Sequence, residues 1–194
     1  MVKLSFKSIL KKAFSNIKKN FSKFRKYIFI LLLAILSILF FGKYALSPLL
    51  YIVGIVLGYY TTMFGKIVPH IAPETMTIMS IFGGIMFGPT YGFVFGLVVS
   101  LIVYSALGLI KLTTLLNSIV IGLGGLYAGL IITTGLSANI VFPLAIQLRS
   151  ITAVLVFWNI TSDKIEALAH AIFDPIWNIV IYVPIFLMIY NLFN

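Results

Sequence analysis

Seven apolar runs follow one another along the chain, at 27–42, 44–65, 75–88, 90–110, 112–134, 138–160 and 175–193, with only short polar breaks between them. A helix needs about 20 apolar residues to cross a bilayer, with roughly 17 tolerated. The runs at 27–42 and 75–88 are short by that measure. The pattern predicts an all-α integral membrane protein, a six-helix transmembrane bundle over 44–194. An extra N-terminal apolar segment, 27–43, precedes it and either crosses the membrane or lies along it. No polar linker is long enough to separate domains, so one helical bundle is expected.

Ahead of these runs, Phe6, Leu10, Phe14, Ile17, Phe21 and Phe24 recur at spacings of three and four with lysines between them. This predicts a basic amphipathic helix over 1–26 lying in the membrane interface, held by apolar area and anionic lipid. A secretory leader is the rival reading, with 27–42 as its apolar region and Ala45-Leu46-Ser47 as a weak cleavage site. A retained anchor is preferred.

The stretch GGIMFGPTYGFVFG, 83–96, sets Gly84, Gly88, Gly92 and Gly96 four apart with Pro89 among them. Proline cannot sit inside a helix without a break. Gly88-Pro89 therefore ends one helix and opens the next, each carrying a glycine edge. Gly125 and Gly129 repeat the spacing, as do Gly54 and Gly58. Small residues let helix backbones approach closely in lipid. Such faces serve internal packing or dock another membrane protein.

Composition removes the soluble alternatives. Hydrophobic residues make up 61% and charged residues 9%, with a mean hydropathy of +1.15. A soluble domain carries about a quarter of its residues charged. There is no cysteine, which excludes disulfides, thiolate metal sites and a cysteine nucleophile. The net charge of +10 is concentrated at one end, with nine of the fourteen Lys and Arg in residues 1–26. Beside an apolar run such a block marks the cytoplasmic side, and it is read as a membrane-surface feature, with no nucleic acid as partner. No Walker lysine loop or dinucleotide fingerprint is present.

The run APETMTIMSIFGGIMFGPTYGFVFGLVVSLIVYSALG, 72–108, resembles the substrate-binding S components of energy-coupling factor (ECF) vitamin transporters, through Gly84, Phe87, Gly88, Pro89, Gly92 and Gly96. The segment 115–131 is similar to the family's fourth helix, and 177–193, with Asn178 and Pro184, to its last. The resemblance covers roughly 44–194. The chain departs from the family in lacking an acidic residue after the glycines of the third core helix, where only Ser100 and Ser105 stand, and in carrying residues 1–43.

The resemblance implies a multi-pass protein of a prokaryotic plasma membrane that binds a small water-soluble vitamin or precursor. It implies a transmembrane coupling protein and a pair of cytoplasmic ATPases as partners, and a subunit that topples in the membrane to release its ligand inside. Loops at 65–75, 110–113 and 160–174 would cover the ligand from outside. If 27–42 crosses the membrane with the basic tail inside, those loops face the cytoplasm instead, as Lys66, Lys111 and Lys164 would favour. If 27–42 lies on the membrane, the family orientation holds. Gly54 and Gly58, on the first core helix, are the expected docking face for the coupling subunit.

Polar groups inside lipid are costly and point to function. The candidates for substrate binding are His70, Glu74, Lys111, Arg149, Glu166, His170, Trp177 and Asn178. Asp163 with Glu166 has capping-box spacing, and Asp174-Pro175 reads as an N-cap with a first-turn proline. Capping leaves His170, Trp177 and Asn178 unexplained; a tryptophan offers a stacking face and an asparagine both a donor and an acceptor. Arg149 needs an anionic or carbonyl partner, either an acidic residue on a neighbouring helix or a ligand carboxylate or phosphate.

Two other functions compete. His70, Glu74, Glu166, His170 and Asp174 could hold a divalent metal for lipid chemistry, but the paired Asp-rich signature for a diphosphate is missing. An accessory membrane subunit without ligand is the other. The expectation is a binding subunit that is not an enzyme, with no cofactor and no metal.

Overall fold

The computed structural model describes residues 43–67, 74–160 and 172–193. Six helical stretches follow in order among these: α1 (Lys43–Ile67), α2 (Thr75–Phe87), α3 (Pro89–Ala106), α4 (Leu112–Ile132), α5 (Ala138–Ile160) and α6 (Ile172–Phe193). The described fold is essentially the unit Ser47–Asn194. The tail 1–26 and the segment 27–42 lie outside the described residues, and the expectations about them with it.

Five of these helices, α1 and α3 to α6, are long and apolar enough to cross a membrane. The chain therefore has the makeup of a multi-pass membrane protein. The sixth expected crossing is α2, which has only 13 residues. At 1.5 Å per residue it spans about 20 Å, short of the roughly 30 Å hydrocarbon core. Its surroundings explain how so short a helix is tolerated. Every residue from Thr75 to Ile85 is buried, because α2 packs against α3, α4, α5 and α6. Large apolar side chains of the other helices, such as Ile52, Tyr60, Leu130, Leu155, Val180 and Met188, point outward as lipid requires.

The Gly88-Pro89 break is as the sequence demands. Gly88 takes φ 101°, ψ 167°, a conformation that side chains rarely adopt, and Pro89 opens α3. The expected helix over 90–110 stops earlier, at Ala106. Gly108 at φ 64° reverses the chain there, and the Gly108 and Leu109 amides donate back to the Ser105 and Tyr104 carbonyls.

The glycine edges are internal. A methyl group on Gly92 would lie 2.6 Å from Gly84 Cα and 2.8 Å from the Gly125 carbonyl oxygen. On Gly122 it would lie 2.8 Å from the Phe93 carbonyl oxygen. The backbones of α2, α3 and α4 thus touch along these positions. Ser80 sits in this seam, its hydroxyl proton shared between the carbonyls of Gly92, at 2.9 Å, and Ile121, at 3.0 Å. Ser80→Ala is expected to cost only about 1 kcal/mol, because both carbonyls retain their helical bonds. Detergent unfolding of the variant measures this, and a loss above roughly 3 kcal/mol would mean the hydroxyl does more than bridge.

Gly54 and Gly58 correct an expectation. Both are buried. A methyl on Gly54 would lie 2.7 Å from Phe95 Cζ, and one on Gly58 would lie 2.8 Å from Met76 Cγ. The Phe95 ring also packs at a tilt against Tyr51 and stacks with Tyr91, so this seam of α1 is filled by Phe95 of α3 and Met76 of α2. The face assigned to a coupling subunit is occupied within the chain.

Candidate functional site

The starts of α2, α4 and α6 and the end of α3 contribute polar residues to one place in the bundle. The polar residues near those ends converge on one arginine. Arg149 lies midway along α5 and is 3% exposed. Its Nη2 donates to Glu74 Oε2 at 2.7 Å and to Asn117 Oδ1 at 3.2 Å. Its Nη1 lies 3.5 Å from Asp174 Oδ2.

Each partner is placed by its own helix. Glu74 is the residue before α2, with extended backbone, and its carboxylate makes no cap bond to the helix. It turns inward, accepting from Thr77 Oγ1 at 3.0 Å and from Asn117 Nδ2 at 3.3 Å. Asn117, in the second turn of α4, also donates to Tyr104 Oη at 2.7 Å. Tyr104 is buried in the last turn of α3.

Asp174 departs from its expected role. It lies inside α6, not at its cap, and is 8% exposed. Its carbonyl accepts from Asn178 Nδ2 at 2.8 Å. Asn178 is 1% exposed and begins a π-helical turn, Asn178–Tyr182, closed by the Val183 amide on the Asn178 carbonyl. Pro184 follows and has no amide proton with which to continue the four-residue ladder. Such turns often sit at functional sites.

Two buried polar atoms here have no partner, Arg149 Nε and Asn178 Oδ1. Native interiors rarely leave such atoms unpaired. The amide orientation of Asn178 is chemically fixed, since reversing it would set Oδ1 against the Asp174 carbonyl.

Of the expected binding residues, Glu74, Arg149 and Asn178 come together. Lys111 does not join them. It is exposed at the start of α4, where its amide donates to Thr114 Oγ1 at 2.8 Å. Trp177 is half-buried beside Asn178 in sequence. His70, Glu166 and His170 fall outside the described residues. Among the described residues, no three His, Cys, Asp or Glu side chains form a metal-holding group.

Sequence reading did not assign Asn117 or Tyr104 to the site. Both stand about two turns or less from a helix end on the side where Glu74 starts its helix, and that shared end was the signal. Comparison with known protein families, with curated proteins and with solved structures gives no match to this chain.

Proposed function

We propose that this chain is the membrane-embedded substrate-binding subunit of a transporter in a prokaryotic plasma membrane. It takes up a small water-soluble nutrient, a vitamin or precursor. The energy comes from separate cytoplasmic ATPases through a transmembrane coupling protein. The carrying observation is the buried cluster of Glu74, Tyr104, Asn117, Arg149, Asp174 and Asn178, with its unpaired donor and acceptor. It lies at the end of the bundle where, by the ECF resemblance, three loops cover the ligand. Trp177 would supply a stacking face there, and Asn178 Oδ1 and Arg149 Nε would bond to ligand.

One observation favours an accessory subunit without ligand. Glu74 and Asp174 are the partners that a buried guanidinium needs in any case. Extraction decides between the two. The chain purified in mild detergent should release about one water-soluble compound per protein molecule, identified by mass spectrometry. Trp177→Ala should weaken its rebinding by roughly 1–3 kcal/mol, as loss of a stacking ring does. Folded protein that releases nothing and rebinds nothing from a nutrient extract would leave the accessory role.

A further inference from the structure

We propose that the π-helical turn of α6, Asn178–Tyr182, is a one-residue insertion that shapes the site and is not needed by the fold. Its effect on binding rests on the substrate-binding reading above.

The spacing along α6 carries the inference. Residues on one face of an α-helix recur at three and four positions. The inward residues are Asp174, Asn178, Val183 and Phe186, the first three buried and the last with its ring 5.0 Å from that of Phe82 in α2. Their steps are four, five and three. The exposed residues Ile176, Val180, Ile185, Met188 and Leu192 step by four, five, three and four. Both stripes therefore carry one extra position, and in both it overlaps the π turn. In an unbroken α-helix Val183 would stand about 140° round the axis from Asn178, away from the core. In the π turn the Val183 amide closes on the Asn178 carbonyl, five residues back, and Val183 comes round to the core. A chain one residue shorter would bring the same faces inward with α-helical turns alone.

The extra residue thus acts on local shape, and its place is the site. The turn opens on Asn178, whose Oδ1 is buried without a partner and whose Nδ2 donates to the Asp174 carbonyl. There the wide turn draws the Asn178 carbonyl toward Val183 instead of Tyr182 and takes the backbone off an α-helical path. Its cost is small, because Pro184 has no amide for the Val180 carbonyl and the α ladder would be interrupted here in any case.

The test deletes Val180, which is exposed. Ile181 then takes its outward place, and both stripes step by three and four throughout. Deletion of Ile119, exposed in α4, is the control. That helix is α-helical from Leu112 to Ile132, so the loss of one residue swings its glycine seam about 100° away from Asn117. The Val180 deletion should give folded protein in detergent, with an SDS unfolding midpoint close to that of wild type, and the Ile119 deletion should give none. The probe for the site is the water-soluble compound that wild type releases in the extraction above. The Val180 deletion should rebind it at least about tenfold more weakly.

Deletion of Ile181 repeats the test if the first variant does not fold. Failure of both to fold shows that the fold needs the turn and overturns the proposal. Equal tolerance of the Ile119 deletion overturns it too, since helix faces would then not govern folding. A folded deletion variant that rebinds the compound as tightly as wild type also overturns it, and leaves the nutrient-binding reading standing. A wild type that releases and rebinds nothing ends that reading and the role of the turn in the site with it, while the unfolding comparison still decides whether the fold needs the turn.

Discussion

Arg149→Leu is expected to cost the protein about 3–5 kcal/mol, at the upper end of what one substitution does. The guanidinium lies against two nearly enclosed carboxylates, Glu74 at 2.7 Å and Asp174 at 3.5 Å. Leucine would remove the guanidinium from two nearly enclosed carboxylates, 14% and 11% exposed. Asn117 Oδ1 would lose its donor as well. Leucine itself packs acceptably, so the loss is one of uncompensated charge. That distinction can be tested. The triple change Arg149→Leu, Glu74→Gln and Asp174→Asn keeps the volumes and removes every charge, and should regain most of the loss, because neutral replacement of a buried ion set is often near-neutral in stability. Arg149→Lys should fall between, since an ammonium keeps the charge but cannot bridge two carboxylates and an amide in the fork geometry of arginine. Unfolding in mixed detergent–SDS micelles measures all three. A single Arg149→Leu protein within about 1 kcal/mol of wild type would mean that the carboxylates find other compensation.

The helices were legible because lipid imposes one simple rule, a continuous apolar run, and the runs at 44–65, 112–134 and 138–160 became α1, α4 and α5 within about two residues of the ends expected. The Gly88-Pro89 turn was legible because the chemistry of those two residues leaves little choice. What hydropathy could not show was which helix is surrounded. The shortness of α2 was visible, but burial depends on neighbours, and no property of 75–88 alone marks it as central. Gly54 and Gly58 failed for the same reason. A small-residue stripe is identical in sequence whether it meets another helix of the chain or another protein, and here Phe95 and Met76 fill it. At the site, the need of Arg149 for an acidic partner was clear. Which partner was not, because Glu74 and Asp174 lie 75 and 25 positions away and only the fold brings them in. Asp174 was misread because an Asp-Pro pair is a strong local start signal, and the helix in fact extends N-terminal to it.

The other large effect lies in the glycine seam. Gly84→Ala is expected to destabilise the bundle by more than about 3 kcal/mol, beyond the usual 1–3 kcal/mol for overpacking. The added methyl would run into the carbonyl oxygen of Gly125, with the Gly125 carbonyl carbon at 2.9 Å and the Gly129 amide nitrogen at 3.2 Å. These are backbone atoms of α4, so no rotamer change relieves the contact. The whole of α2 or α4 must move, and α2 is enclosed by four helices with nowhere to go. Alanine is the better helix former by roughly 1 kcal/mol, which offsets a part of the clash and no more. Gly83→Ala, one residue earlier, is the matched control. Its methyl would meet side chains alone, the Tyr91 ring at 3.1 Å and Leu50 Cδ2 at 3.5 Å, and a ring edge can shift by a few tenths of an ångström. There the helix-propensity gain and the contact nearly cancel, and a change within about 1 kcal/mol is expected. The pair shares residue type, helix and burial, so the difference between them isolates contact with backbone. Comparable unfolding of the two variants in detergent would show that the helices do not meet along Gly84, Gly92 and Gly125. With a loosened seam, the ends of α2, α3 and α4 would no longer hold Glu74, Tyr104 and Asn117 within reach of Arg149, so Gly84→Ala should also abolish ligand release and rebinding while Gly83→Ala retains both.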